Sequence, residues 1–175
     1  KKNNFEILSH AFKGETQIIQ IKHNNLIESI KVNLIGKIQI KNMLMAILAA
    51  NRSNLNFKKI LSVIPKVNSV EGRFEKIGKI KNKSKVILDY AHTPDALKTC
   101  LLNLREQFPN KKIFLLFGCG GDRDQDKRSK MGLIASKYSD KIFLTDDNPR
   151  FENPNKIRRD KKKGIKKKKV IEIPE

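Results

Sequence analysis

Lys112-Ile113-Phe114-Leu115-Leu116-Phe117 runs directly into Gly118-Cys119-Gly120-Gly121-Asp122-Arg123-Asp124, and this junction decides the fold. After Lys112 the next five residues are apolar and rich in strand formers. The glycine and charge loop up to Lys127 breaks them, and a helix is predicted around Arg128–Tyr138 before the next strand, Lys141-Ile142-Phe143-Leu144-Thr145. Working outward, Val86-Ile87-Leu88 suits a strand buried on both faces. Thr93-Pro94-Asp95 reads as a helix start, with a hydroxyl N-cap, proline at the first helical position and an acid in the first turn. Leu97, Leu101, Leu104 and Phe108 supply that helix's apolar stripe until Pro109-Asn110 ends it. Downstream, a helix is predicted over Asn153–Gly164 and a fourth strand over Val170–Ile173. Strand and helix alternate with short connections, which implies right-handed crossovers and an α/β fold with a parallel sheet.

The first third differs in character. Thr16-Gln17-Ile18-Ile19-Gln20-Ile21 and Glu28-Ser29-Ile30-Lys31-Val32-Asn33-Leu34 read as strands flanking the turn cluster His23-Asn24-Asn25, a predicted hairpin. Ile40 to Asn51 has helical composition with Leu44, Ile47 and Leu48 on one face, and a short helix over Phe57–Val63 is expected to end at Pro65. By themselves these pieces are expected to bury little and to need partners before residue 1.

The 175 residues include 38 Lys plus Arg against 18 Asp plus Glu, a formal net charge of +20. This length holds one domain and part of another, and buries about two-thirds of the unfolded surface. Met43–Ala50, the longest apolar run, falls far short of the ~20 residues of a membrane-spanning helix. No signal-type segment follows Lys1-Lys2-Asn3-Asn4. Cys100 and Cys119 make neither a disulfide framework nor a metal knuckle, so a cytoplasmic protein without a membrane partner is expected. The charge invites nucleic acid, yet 30 Lys, 22 Ile and 16 Asn, all with A/T-rich codons, make up 68 of the 175 residues. Between Lys156 and Lys169 stand ten bases and one acid, +9 of the +20, without the aromatic residues that stack on bases. That run is read as a solvated helix face or compositional drift, and nucleic acid is not expected as a partner.

Ligands of open α/β sheets collect at the carboxyl ends of the strands. Three such ends carry polar segments here: Asp89-Tyr90-Ala91-His92-Thr93-Pro94, Gly118 to Asp124, and Asp146-Asp147-Asn148-Pro149-Arg150. Each is also ordinary turn chemistry, but three on one rim ask for more. The glycines would let backbone amides approach a ligand, and no Lys-Ser/Thr pair follows them to make a phosphate loop. Arg73, Arg123, Arg128 and Arg150 are four of only eight arginines beside thirty lysines. An arginine kept against such a bias suggests that a planar fork is needed for carboxylate or phosphate.

Four segments in register, Glu71-Gly72-Arg73-Phe74-Glu75, Asp89 through Leu97, Phe117 through Asp124 and Thr145-Asp146-Asp147-Asn148-Pro149-Arg150, resemble the Mur ligases. The resemblance covers nearly the whole chain and is weakest over the first 30 residues. It implies that residues 1–67 are the C-terminal part of a central α/β ATP-binding domain. Residues 68–175 would be a Rossmann-like C-terminal domain, truncated, that brings the amino acid. The implied reaction uses ATP and Mg2+ to add meso-diaminopimelate to UDP-N-acetylmuramoyl-L-alanyl-D-glutamate through an acyl phosphate, for peptidoglycan biosynthesis. Carried over residue by residue, Asn42, Arg73, Asp89 and His92 are expected at ATP, and Arg123, Asp147, Asn148, Pro149 and Arg150 at diaminopimelate. Gln39 stands where the family has an asparagine, a departure at the adenine side.

The diaminopimelate assignment has its own physical logic. This amino acid carries a second carboxylate where lysine has none, and two fixed guanidinium groups suit it, whereas they would be costly to bury unpaired in a lysine site. The family's phosphate loop, magnesium acids, modified lysine and UDP-sugar domain are expected before residue 1, and its Gly-Lys-Gly-His-Glu segment after residue 175. No catalytic or metal residue is therefore expected within the chain, which should not turn over alone. The alternatives are a lysine-adding ligase, a folylpolyglutamate synthase or a basic nucleic-acid-binding module.

Overall fold

The structure, a computed structural model, describes residues 5–80, 84–166 and 170–174. It divides into two compact units, Lys1–Tyr90 and Ala91–Glu175. The first unit opens with three antiparallel strands in the order β1 (Phe5–Lys13), β2 (Thr16–His23) and β3 (Leu26–Val32). The predicted hairpin is β2–β3, pairing His23 with Leu26 across Asn24, which takes φ 55°, a conformation asparagine tolerates. Helices α1 (Lys37–Arg52) and α2 (Phe57–Val63) follow, and the Asn56 side chain caps α2 by accepting from Lys59 N at 3.2 Å. The helix ends at Val63 as expected, and Pro65 lies in the short 3-10 turn Ile64–Lys66 that follows it.

The expectation that the first third buries little is overturned. Ile19 and Ile21 alternate inward on β2, Ile30 and Val32 on β3, and Ile40, Met43, Leu44 and Ile47 form the i, i+3, i+4, i+7 stripe of α1. With Leu34, Ile60 and Ile64 they make one continuous buried cluster. Two periodicities, 2 and 3.6, meet face to face, which is how a sheet and a helix close a core.

Strand β4 (Glu75–Lys79), which the sequence did not reveal, pairs antiparallel with β5 (Lys85–Leu88). The expected doubly buried parallel strand at Val86–Leu88 is thus an antiparallel one whose Val86 and Leu88 are 40% and 49% exposed. Its apolar run is too short to separate the two cases by periodicity.

In the second unit the alternation holds. α3 (Pro94–Gln107) starts at Thr93, whose hydroxyl accepts from Ala96 N at 3.2 Å. Then come β6 (Phe114–Phe117), α4 (Asp126–Tyr138), β7 (Lys141–Thr145), α5 (Pro154–Lys163) and β8 (Val170–Ile173). The sheet order is β6-β7-β8, all parallel. Leu97, Leu101, Phe117, Met131, Ala135, Ile142, Leu144 and Ile157 belong to its core.

Lys161 corrects the reading of the basic run. Its side chain is fully buried, with Nζ donating to Thr145 O at 2.8 Å and Phe117 O at 3.5 Å. Arg158 is buried as well. Lys162 and Lys163 are the solvated residues expected, and residues 167–169 of the run lie outside the described residues. No helix among the described residues is long and apolar enough to cross a membrane.

Candidate functional site

Parallel pairing of β6 and β7 sets their carboxyl ends side by side, so the loop after Phe117 and the loop after Thr145 must share a rim. They lock together through backbone. Gly121 N donates to Asn148 O at 2.9 Å. A methyl group on Gly121 would lie 1.9 Å from Pro149 O, and one on Gly118 would lie 2.8 Å from Asp147 Cβ. The glycines are consumed by this contact between loops rather than by close approach to a ligand.

That rim carries Asp147, Asn148, Pro149 and Arg150 on the loop after β7, and Arg123 on the loop after β6, two residues beyond Gly121. Arg150 adopts φ 50° and Asp122 φ 49°, left-handed conformations that are uncommon for non-glycine residues. Local hydrogen bonds hold Arg150 there: its N donates to Asn148 Oδ1 at 3.1 Å, and its Nη1 donates to Gly121 O at 2.8 Å. Phe151 N donates to Asp122 Oδ2 at 3.2 Å. Arg123 and Arg150 are both exposed, one on each of the two adjoining loops.

Under the rim lie groups that sequence reading passed over. Arg128, singled out only as a retained arginine, is fully buried and grips Glu152 with its two terminal nitrogens, Nη2 and Nη1, at 2.6 and 2.9 Å. It also reaches Asp160 at 3.3 Å. The Arg128 guanidinium, helped by the Asp122 backbone N–H, holds the Glu152 carboxyl at about 2, below its ordinary 4.5. Arg158 pairs with Asp146 and reaches Glu172 at 3.1 Å. Burial pushes the Lys161 ammonium down and the Cys119 thiol up. Glu152, one acid among ordinary loop residues, carries no signal in the sequence that would have found it.

The residues expected at ATP are divided. Asn42, Arg73 and Asp89 lie in the first unit, while His92 lies in the second, where its carbonyl accepts from Lys127 Nζ at 3.0 Å. Arg73 sits in a tight turn built from three directions. Asp89 Oδ2 accepts from Phe74 N at 3.0 Å, Tyr90 N donates to Gly72 O at 2.8 Å, and Gln39 Nε2 donates to Arg73 O at 2.7 Å. The Arg73 guanidinium is 5.0 Å from the centre of the Tyr90 ring, a cation–π contact. Gln39, the departure noted in the sequence, is therefore a buried strut for this turn, and Asn42 stands exposed one helical turn along α1. A hollow of about 550 Å3 in the first unit, lined by His23, Asn24, Leu26, Asn56, Phe57 and Lys58 among others, contains none of these residues. Among the described residues no three His, Cys, Asp or Glu side chains gather to hold a metal ion.

Residues 72–175 match the family model described as Mur ligase, glutamate ligase domain. The UDP-N-acetylmuramoyl-L-alanyl-D-glutamate--2,6-diaminopimelate ligase of Rickettsia typhi is 38% identical over 177 residues, covering 94% of this chain and 35% of that protein. The protein of the same name from Buchnera aphidicola subsp. Schizaphis graminum is 44% identical over 142 residues, covering 81% and 28%. A solved structure of a ligase of that name covers 100% of this chain and 36% of its own, with a TM-score of 0.69 at 29% identity. Folylpolyglutamate synthase from Thermotoga maritima shares the fold, with a TM-score of 0.73 at 24% identity over 96% of this chain and 39% of its own. The chain spans about a third of the length of the curated relatives it matches.

Proposed function

This chain belongs to the Mur ligase family, and from that premise we propose that it forms part of an ATP-dependent ligase joining meso-diaminopimelate to UDP-N-acetylmuramoyl-L-alanyl-D-glutamate in the cytoplasm. Residues 1–67 would come from the ATP-binding domain and 68–175 from the amino-acid-binding domain. In this reading ATP phosphorylates the D-glutamate carboxylate. The amine of diaminopimelate then attacks the acyl carbon, the C–O bond to phosphate breaks, the amide C–N bond forms, and the amine gives up a proton. Magnesium would offset phosphoryl charge, but the described residues offer no carboxylate cluster for it, and no step is assigned to it on this chain.

What the chain supplies is position. Asn42, Arg73, Asp89 and His92 would face the nucleotide, where the Arg73 turn presents a guanidinium already backed by Tyr90. Asp147, Asn148 and Pro149 shape the turn that carries Arg150, and Arg123 projects from the neighbouring loop. The single observation behind the amino-acid assignment is that Arg123 and Arg150 are exposed on two loops tied together by Gly121 N to Asn148 O and Arg150 Nη1 to Gly121 O. Arg150 is also held in a sparsely populated backbone region, the kind of outlier that motivates a functional hypothesis. A pair of forks, Arg150 held by its turn and Arg123 on the adjoining loop, suits the distal carboxylate that distinguishes diaminopimelate from lysine.

The test is Arg150→Ala in the full-length protein. A hydrogen bond to a charged group contributes about 1.5–3 kcal/mol, so the diaminopimelate KM should rise about ten- to a hundredfold while the ATP KM stays within about twofold. Equal effects on both would refute the assignment.

A further inference from the structure

We infer that the buried Arg128–Glu152 pair positions the two rim loops, and through them Arg150, for the amino acid; this rests on the amino-acid reading of the rim. Glu152 is the point where both loops are held. Its Oε1 accepts from Asp122 N at 2.6 Å, on the loop after β6, while its own N donates to Pro149 O at 3.0 Å, on the loop after β7. The same carboxylate is gripped by Arg128 at 2.6 and 2.9 Å, with the Arg128 side chain 0% and the Glu152 side chain 12% exposed. Arg128 projects from α4, so the loops are referenced to a helix of the core rather than only to each other.

The geometry of the fork continues this chain of contacts. Arg128 Nη2 lies 3.5 Å from Gly120 O, and Nη1 lies 3.3 Å from Asp160 on α5. Three segments therefore converge on one guanidinium: the loop after β6, the Glu152 end of the loop after β7, and α5. Its Nε has no partner among the described residues. Nitrogens Nη1 and Nη2 serve the loops, and one donor is left unsatisfied at a cost, which fits a group placed for geometry. Arg150 is reached in two links: Asp122, whose N binds Glu152, accepts from Phe151 N with Oδ2, and Gly121, the residue before it, accepts from Arg150 Nη1. Neither Arg128 nor Glu152 needs to touch substrate, so both are positioning residues. Displacement of a recognition group by about 1 Å is enough to cost on the order of a hundredfold.

The experiment uses the full-length protein with Glu152→Gln, which keeps shape and removes charge, Arg128→Lys, which keeps charge and removes the fork, Arg150→Ala, and the double variant Glu152→Gln/Arg150→Ala. The KM for diaminopimelate, the KM for ATP and the Tm are measured for each. The expected result is a rise of about tenfold or more in the diaminopimelate KM for Glu152→Gln and a smaller rise for Arg128→Lys, with the ATP KM within about twofold. In the Arg150→Ala background Glu152→Gln should add less than about twofold, because groups acting through one another are not additive. The inference is overturned if folded Glu152→Gln leaves the diaminopimelate KM unchanged, if its effect multiplies in full with that of Arg150→Ala, or if both KM values rise together with a falling Tm. It is equally overturned if neither Glu152→Gln nor Arg128→Lys yields folded protein, which would make the pair a folding element only. Failure of the functional reading is separate: there Arg150→Ala itself leaves the diaminopimelate KM unchanged.

Discussion

Gly121→Ala places a methyl group in the tightest contact of the rim. Gly121 has no left-handed φ, so alanine brings no dihedral penalty, and the whole effect is steric. The methyl would stand 1.9 Å from Pro149 O and 2.6 Å from Pro149 C, whereas ordinary contact begins at 3.4 Å, so the loops must part by about 1.5 Å (3.4 less 1.9). That separation breaks the 2.9 Å bond from Gly121 N to Asn148 O and the 2.8 Å bond from Arg150 Nη1 to Gly121 O. At about 0.5–1.5 kcal/mol for the neutral bond and about 1.5–3 for the charged one, the loss is about 2–4.5 kcal/mol. For a cooperatively unfolding unit of about this size each kcal/mol moves Tm by about 2–4 °C, so the transition containing the rim should fall by on the order of 10 °C. Gly120→Ala on the same loop is the control. Its methyl would meet Arg150 Nη1 at 2.8 Å and push that end off Gly121 O, but it spares the backbone bond from Gly121 N to Asn148 O and meets no backbone atom closer than 3.5 Å, so Tm should fall less than for Gly121→Ala. Thermal melting of both variants in the full-length protein checks the argument. If Gly121→Ala melts within a degree of the parent, or if Gly120→Ala is the more damaging of the two, the rim is not locked as described.

Acid should loosen the rim and, separately, the first unit. Glu152 and Glu15, the latter facing Lys76 and Lys85 at 2.8 and 3.2 Å, are each held at about 2 against an ordinary 4.5. A carboxyl with a lowered folded-state value stabilises the fold in full above 4.5 and loses that contribution as pH falls toward 2. Tm should therefore be nearly flat above that range and drop below it, and Glu15→Gln or Glu152→Gln should each flatten the slope; an unchanged slope in both would refute the pairing. Lys161 is a buried ammonium facing carbonyls. Lys161→Met keeps its volume, and the lost bonds, about 1–3 kcal/mol, are offset by relief of a desolvation penalty of several kcal/mol. Tm should change by only a few degrees for Met but fall clearly for Lys161→Ala, which leaves a cavity worth about 2–5 kcal/mol; equal losses would sink the desolvation argument.

Helices α3, α4 and α5 and strands β6, β7 and β8 were legible because their signals are local. Thr93 with Pro94 caps a helix, Asn153 with Pro154 caps another, and β-branched and aromatic runs end at Gly118 and Asp146. Strands β1 and β4 carry no such local signal. β1 has no cleanly alternating buried face, and β4 carries Gly78 among charged residues, so their pairing comes from neighbours rather than from their own pattern. The core of the first unit is not legible in the sequence, because its two apolar faces lie far apart along the chain and meet only in space.

Sequence alone placed the loops after β6 and β7 on one rim, since parallel strands joined by helices set their carboxyl ends on one side, but it also counted Asp89–Pro94, which follows a strand of a different, antiparallel sheet; it singled out Arg123 and Arg150 by residue type. Only the tertiary structure decided what each charge does. A lysine in a basic run reads the same whether it is solvated, as Lys162 is, or sealed under two strand ends, as Lys161 is. An acid in a loop likewise gives no hint that, like Glu152, it ties two loops to a buried arginine. Burial and partner geometry are long-range properties of the packed chain, and they set the energy of a charge far more than its identity does.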